Sequence, residues 1–146
     1  MRQSGAVDVL LVEDNAQDAE LAIRVLRKHS LADRLLWLED GVQAVDFLFA
    51  RGKYAGRTLA PPRVVLLDLK LPKVDGFEVL RAIKADERTR AIPVVILTSS
   101  NQDCDIRQAY ALGANGYTVK SVDFDAFHEG VGALARYWLK VNHPAL

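Results

Sequence analysis

Five short runs of β-branched and leucine residues recur along the sequence, and segments with helical spacing lie between them. The runs cover residues 7–12, 34–38, 63–67, 94–98 and 116–119. Three of them show almost no alternation with polar residues, a pattern typical of strands that are covered on both faces of a sheet. Because strand and helix alternate five times, the sequence predicts an α/β fold with a parallel sheet and helices on both faces.

The predicted helices place apolar residues at intervals of three and four, which defines one apolar face for each helix. These positions are Leu21, Val25 and Leu26; Val42, Val45, Leu48 and Phe49; Val79, Leu80 and Ile83; Ile106, Ala109, Tyr110 and Leu112; and Phe124, Phe127, Val131, Leu134 and Trp138. We expect Asp123 to cap the last helix. Residues 51–62 contain two glycines and paired prolines, and we therefore expect a long loop there.

Length and composition restrict the class of protein. A chain of 146 residues, half of them apolar, can build one domain with a single core; we expect residues 1–146 to form it, with its core at about 6–140. The 19 Lys and Arg balance the 19 Asp and Glu, which argues against a nucleic-acid partner. Cys104 is the single cysteine, so neither an internal disulfide nor a cysteine metal site is expected. With no signal or membrane-spanning segment in the sequence, we expect a cytoplasmic protein without a membrane partner.

Polar and charged residues follow the predicted strands where each strand ends. Glu13 and Asp14 follow the first, Asp68 the third and Lys120 the fifth, and Thr98 ends the fourth. Ligands of open parallel sheets bind at the carboxyl ends of the strands, so these side chains would share one edge. Three adjacent carboxylates need a cation, and Mg²⁺ prefers such hard oxygen ligands. The arrangement suits phosphoryl transfer to a carboxylate, with Asp68 as the nucleophile and Lys120 neutralising the incoming group.

Four motifs in this order resemble the receiver domain of two-component response regulators over nearly the whole chain. They are VLLVEDN, LLDLKLPKVDG around Asp68, PVVILTSS with Thr98, and GYTVK ending at Lys120. The resemblance implies a flavodoxin-like, doubly wound sheet of five parallel strands in the order 2-1-3-4-5, with five helices.

The same resemblance implies a role for each acid. Asp68 would accept a phosphoryl group from a phosphohistidine on a sensor histidine kinase. Asp14, Asp68 and the backbone carbonyl of Lys70 would hold Mg²⁺, and Glu13 would act mainly through a water. The protein would thus be a phosphoacceptor in signalling that takes part in its own phosphorylation and dephosphorylation, and not an enzyme acting on other substrates.

The resemblance also implies a conformational switch. Lys120 would hold the phosphoryl oxygens, and Thr98 would move to hydrogen-bond them. Tyr117 lies at the position of the family's switch aromatic, which turns inward as the threonine shifts. The surface around the fourth helix, the fifth strand and the fifth helix would then carry the signal, because a phosphoryl group adds charge and acceptors that bias a two-state loop.

Two residues depart from the family pattern. The lysine is usually followed by a cis proline, and here it is followed by Ser121. A cis bond before a residue other than proline costs about 2.5 to 4 kcal/mol, so we expect a distorted or trans 120–121 peptide, which puts the reach of Lys120 in question. Lys70 places a cation two residues after Asp68 that could pair with a carboxylate of the site.

After the last predicted helix only LKVNHPAL remains, so no output domain is expected. The long 51–62 loop and this C-terminal segment resemble stand-alone receivers that serve phytochrome-type light-sensing kinases; a different sensor kinase stays open. Tyr137 and Val141 flank the apolar stripe of the last helix and could form the contact of a symmetric dimer. They could equally well only close the core.

Other interpretations remain at this stage. Asp14 could simply cap the first helix, and Thr98 could be an ordinary strand residue. A phosphatase of the haloacid dehalogenase type also uses an Asp at a strand end, but it needs an acid two residues later, where this chain has Lys70. A flavodoxin-like flavin carrier would need glycines and hydroxyls after the first strand, where this chain has EDN.

Overall fold

Strands and helices alternate through residues 7–29, 34–57 and 60–145, the part of the chain that the computed structural model describes. The strands are β1 Val9–Val12, β2 Leu35–Leu38, β3 Val64–Leu67, β4 Val94–Thr98 and β5 Gly116–Val119. The helices are α1 Ala16–Lys28, α2 Gly41–Leu48, α3 Gly76–Ala85, α4 Asp103–Ala111 and α5 Phe124–Arg136. Each predicted strand and helix is found, with strand ends within two residues of the prediction. The predicted domain's first six residues and its last lie outside the described residues.

The five strands form one parallel sheet in the order β2-β1-β3-β4-β5. This is the predicted flavodoxin-like order, and it is confirmed. In the register of the sheet, Val12 at the end of β1 pairs with Leu38 of β2 and Leu67 of β3. The residues that follow these three strands therefore lie side by side at one edge of the sheet, which we call the carboxyl edge.

Each face of the sheet has its own apolar core. Alternate residues of β1, β3 and β4 pack with α2, α3 and α4 on one face. The intervening residues of the same strands pack with α1 and α5 on the other. All residues of these three strands are buried, whereas the two edge strands are mostly half-buried. This explains why three runs lack polar alternation, since both sides of a central parallel strand face a core.

The apolar faces of three helices were predicted only in part. Val42, Tyr110 and Phe124 are exposed, so their prediction as core positions is wrong. In α2 the buried residues include Ala44 and Phe47 instead. The buried face of α2 starts at Gly41, where an added Cβ would meet backbone atoms of residue 74.

Two of the predicted connections differ in detail from simple loops. The 51–62 connection contains a short 3₁₀ turn, Gly52–Tyr54, and its residues 58–59 lie outside the described residues. After α5 the chain continues as a π-helical turn, Tyr137–Val141, closed by a hydrogen bond from the Asn142 N–H to the Tyr137 carbonyl at 2.7 Å. Tyr137 and Val141 are both exposed.

Within the described ranges, the helices are too short or too polar to cross a bilayer.

Candidate functional site

Three carboxylates meet at the carboxyl edge of the sheet. Glu13 and Asp14 follow β1, Asp68 follows β3, and one carboxylate oxygen of each lies within 4.8 Å of the others. Parallel pairing brings them together, because the Asp68 N–H donates to the Val12 carbonyl at 3.1 Å. Glu13 and Asp68 are buried, with exposures of 2% and 7%, and Asp14 is exposed. The acids that the sequence placed at neighbouring strand ends thus form one cluster.

The ammonium of Lys120 lies among these acids. Its Nζ is 2.7 Å from Oε1 of Glu13, 2.9 Å from Oδ2 of Asp18 and 3.0 Å from Oδ2 of Asp68. An ammonium has three N–H donors, so these three carboxylates can use all of them. The side chain of Lys120 is only 9% exposed, which strengthens the ion pairs relative to surface pairs.

The peptide after Lys120 does not restrict this reach. The structure contains no cis peptide among its described residues, so the 120–121 bond is trans, as expected for a serine at that position. The Ser121 hydroxyl accepts a hydrogen bond from the Asp123 N–H at 3.1 Å, and Asp123 caps α5 through the Ala126 N–H as predicted. The lysine therefore contacts Asp68 from a trans backbone.

Burial and charge shift the acid–base properties of this cluster. Burial raises the pKa of Glu13 to about 7, the hydrogen bond from Lys120 opposes this shift, and the charge of Asp68 adds to it. For Lys120 burial alone would lower the pKa, but the contacts with Glu13, Asp18 and Asp68 outweigh it and hold the pKa above its ordinary value. The ammonium therefore stays charged at neutral pH, and it is the one cation in contact with these three acids within the described residues.

The loop after β3 fixes the carboxylate of Asp68. Its Oδ1 accepts a hydrogen bond from the Leu69 N–H at 2.7 Å, and its Oδ2 faces Lys120. The loop returns to the site at Gly76, whose N–H donates to the Leu69 carbonyl at 2.8 Å. A Cβ on Gly76 would lie 2.2 Å from the Asp68 carbonyl oxygen, so only glycine permits this approach of α3 to the loop.

The far side of the same loop rests on the start of α2. The Gly41 N–H donates to the Pro72 carbonyl at 3.4 Å, and buried Asp40 caps α2 while lying 3.6 Å from the ammonium of Lys73. Lys73 has a φ of 69°, a left-handed conformation that is uncommon for residues other than glycine. Lys70, in the same loop, is exposed and forms no ion pair within the described part of the chain. The role of its backbone carbonyl stays a prediction.

The two predicted switch residues lie on neighbouring strands. Thr98 ends β4 with 1% exposure, and its carbonyl accepts a hydrogen bond from the Lys120 N–H at 2.7 Å. Tyr117 in β5 is half-buried and donates its hydroxyl to the Ser100 carbonyl at 3.0 Å. The side chain of Ser100 in turn contacts Asp105 of α4 at 2.6 Å. A chain of contacts thus joins the carboxyl edge to the first turn of α4, and the movement of Thr98 and Tyr117 stays a prediction.

Sequence reasoning missed Asp18 and misjudged one alternative. Asn15 caps α1, since its Oδ1 accepts from the Asp18 N–H at 3.0 Å; the alternative that Asp14 is only a helix cap is therefore wrong. The signal for Asp18 was its position four residues after Asp14. It lies in the first turn of α1, where the helix dipole favours an acidic side chain. Trp37 was also missed: its Nε1–H donates to the Glu13 carbonyl at 2.8 Å and fixes the end of β1.

The donor set fits a small divalent cation. Glu13, Asp14 and Asp68 supply only oxygen, which suits Mg²⁺, and exposed Asp14 leaves the cluster open to solvent. Asp14 and Asp68 would hold the ion directly and Glu13 mainly through a water, and the ion would supply positive charge among these converging oxygens. Glu13 and Asp68 currently share oxygens with Lys120, so a metal ion and the lysine compete for the same ligands.

Comparison with known proteins agrees with this architecture. The family model described as response regulator receiver domain matches residues 9–131. A probable methanogenesis regulatory protein, FilR2 of Methanothrix harundinacea, is 47% identical over 134 residues, covering 92% of this chain and 84% of FilR2. Response regulator Rcp1 of Synechocystis is 38% identical over 138 residues, covering 94% of this chain and 92% of Rcp1.

Solved structures give the same result. The Mn²⁺-bound form of Rcp1 superimposes with a TM-score of 0.88 at 36% identity, covering 94% of this chain and 98% of that chain. A phosphorylated cyanobacterial phytochrome response regulator, RcpA, also gives a TM-score of 0.88, at 35% identity, covering 94% of this chain and 97% of that one. On the match across residues 9–131 and on these relatives, the chain belongs to the response regulator receiver domain family.

Proposed function

We propose that this receiver accepts a phosphoryl group on Asp68 from a phosphohistidine of a sensor histidine kinase, with Mg²⁺ bound at the same edge of the sheet. One observation carries the proposal. The Asp68 carboxylate is held between the Leu69 N–H and the Lys120 ammonium, with carboxylate oxygens of Glu13 and Asp14 within 4.8 Å. A fixed carboxylate flanked by a cation and by metal-binding acids is the arrangement that phosphoryl transfer needs.

The proposed transfer moves one phosphoryl group. A carboxylate oxygen of Asp68 forms the new O–P bond, the N–P bond of the phosphohistidine breaks, and the imidazole keeps the electron pair of that bond. Lys120 donates hydrogen bonds to the phosphoryl oxygens, whose position next to its Nζ follows from the 3.0 Å contact with Asp68. Mg²⁺, when bound, would neutralise negative charge on these oxygens.

The signal is proposed to leave through Thr98 and Tyr117. A phosphoryl group carries about −1.5 to −2 charge and three strong acceptor oxygens, so it can draw the Thr98 hydroxyl toward Asp68. The proposal is supported by the backbone bond between Lys120 and Thr98 and by the Tyr117 contact with Ser100, which continue toward α4. The surface formed by α4, β5 and α5 would then carry the output.

The partner is proposed to be a kinase of the phytochrome type. Support comes from RcpA, which is named a phytochrome response regulator, and from two further structures named bacteriophytochrome response regulators.

We further propose a symmetric dimer through the exposed Tyr137 and Val141 after α5. Light scattering at high protein concentration, with and without phosphorylation, should detect the dimer, and a monomer under both conditions would reject it.

Phosphorylation by acetyl phosphate tests the proposal. With Mg²⁺ present, intact-mass measurement should show the addition of one phosphoryl group to the wild-type chain. Asp68→Asn should remove the adduct completely, because the amide oxygen is a poor nucleophile and cannot form the acyl phosphate. Chelation of Mg²⁺ should also remove it.

The matched control is Asp125→Asn, which neutralises an exposed acid in the first turn of α5. This variant should form the adduct as the wild type does. An adduct that persists in Asp68→Asn, or the lack of any adduct in the folded wild-type chain, would reject Asp68 as the phosphoacceptor.

A further inference from the structure

Lys120 has one carboxylate partner that lies outside the proposed metal cluster. Its three partners are Glu13, Asp18 and Asp68, at 2.7 to 3.0 Å. Two of these, Glu13 and Asp68, belong to the acids whose oxygens converge for a cation, whereas Asp18 does not. A metal ion at these oxygens would compete with Lys120 for Glu13 and Asp68, so its contacts with these two acids would weaken when the ion binds.

We propose that Asp18 is a positioning residue that retains Lys120 beside Asp68 while Glu13 and Asp68 face a bound Mg²⁺. This inference rests on the proposed function, since it gives a role to Asp18 in the same site. Asp18 would keep one N–H of the ammonium and leave the other two free for the oxygens of a phosphoryl group on Asp68.

The surroundings of Asp18 suit this role. The first turn of α1 holds its backbone in place, because the Asp18 N–H donates to the side chain of the cap residue Asn15. Its side chain is 35% exposed, so the carboxylate keeps part of its contact with solvent. It still reaches Nζ of Lys120 at 2.9 Å, across 102 residues of sequence.

The charge balance gives the direction of the effect. Without a carboxylate at position 18, the ammonium has only the proposed metal ligands Glu13 and Asp68 as anionic partners. It would then compete more strongly with Mg²⁺ for them, and its own charge would have no anionic partner once the metal is bound. Loss of Asp18 should therefore weaken Mg²⁺ binding through Lys120, even though Asp18 does not touch the metal.

A Mg²⁺ titration of the unphosphorylated chain tests this inference by NMR. The amides of Asn15 and Leu69 are suitable reporters, because they donate to the carboxylates of Glu13 and Asp68. Asp18→Asn keeps the shape of the side chain and removes its charge. We expect it to raise the Kd for Mg²⁺ by about three- to tenfold, as one partly buried charge pair should.

Two comparisons show whether Asp18 acts through the lysine. Glu20→Gln removes an equal charge from an exposed position on the same helix, and should change the Kd by less than about twofold. In a Lys120→Met background, Asp18→Asn should likewise change the Kd by less than about twofold, because the residue through which it acts is gone.

The outcomes separate clearly. An unchanged Kd in Asp18→Asn, or an increase no larger than that of Glu20→Gln, would overturn the inference without any need for the Lys120 variant. An equal increase in the presence and absence of Lys120 would also overturn it, since Asp18 would then act only as a general charge. The titration needs no phosphoryl donor, so its failure is distinct from the failure of Asp68 to form a phosphoryl adduct.

Discussion

Replacement of Gly76 by alanine is expected to lower the free energy of unfolding by about 3 kcal/mol, the upper part of the range for overpacked sites. The new Cβ would lie 2.2 Å from the Asp68 carbonyl oxygen and 2.5 Å from Cα of Leu69. Both are backbone atoms, so no side chain can rotate away to make room. Relief requires movement of the loop that holds the Asp68 carboxylate, and we therefore expect phosphorylation to be lost as well.

Urea unfolding followed by circular dichroism measures the change in stability. The matched control is Gly130→Ala within α5, where an added Cβ meets no heavy atom within 4 Å. Since alanine is the better helix former, this control should gain up to about 1 kcal/mol. A Gly76→Ala variant as stable as the wild type and normally phosphorylated would show that the approach of α3 to the loop is not needed.

The second large effect is expected for Lys120→Met. In the absence of Mg²⁺, Glu13, Asp18 and Asp68 lose their shared cation, and two of these acids are buried. We expect the free energy of unfolding at pH 8 to fall by about 2 kcal/mol. This is less than for a fully buried pair, because Asp18 is partly exposed and because Glu13, whose pKa is already raised to about 7, can take up a proton.

Mg²⁺ should reverse most of that loss. A ligand that binds only the folded state stabilises it in proportion to the logarithm of its concentration over Kd, and without Lys120 the carboxylates are free for the metal. Saturating Mg²⁺ should therefore raise the unfolding free energy of Lys120→Met more than that of the wild type. Lys140→Met, which removes an exposed lysine, is the control and should resemble the wild type. If Mg²⁺ did not change the unfolding free energy of Lys120→Met, this result would contradict competition between the lysine and the metal.

The architecture was accessible from the sequence because burial on both faces leaves a clear pattern. The runs that became β1, β3 and β4 are apolar at nearly every position, and the structure buries all of their residues. Once the sheet is parallel, each residue that follows a strand is bound to lie at the carboxyl edge. Asp68 lies beside Glu13 and Asp14 because β3 also pairs directly with β1 in this sheet.

Other features depend on three-dimensional contacts that leave a weaker pattern. Val42 and Ala44 are both apolar, and only the packing of α2 in three dimensions shows that Ala44 faces the core and Val42 the solvent. The reach of Lys120 was doubtful because Ser121 replaces the usual proline, yet a trans peptide delivers the ammonium to Asp68. Asp18 carries no strand-end signal in the sequence, because it lies in the first turn of the helix that follows β1.

The site of phosphorylation is the central claim, and chemical mapping tests it most directly. The chain is phosphorylated with acetyl phosphate and Mg²⁺, the acyl phosphate is reduced with borohydride, and the modified residue is located by peptide mass spectrometry. We predict that residue 68 alone carries the reduced product. A product at Glu13, Asp14 or Asp18, or a folded and phosphorylated chain with Asp68 unmodified, would contradict the account.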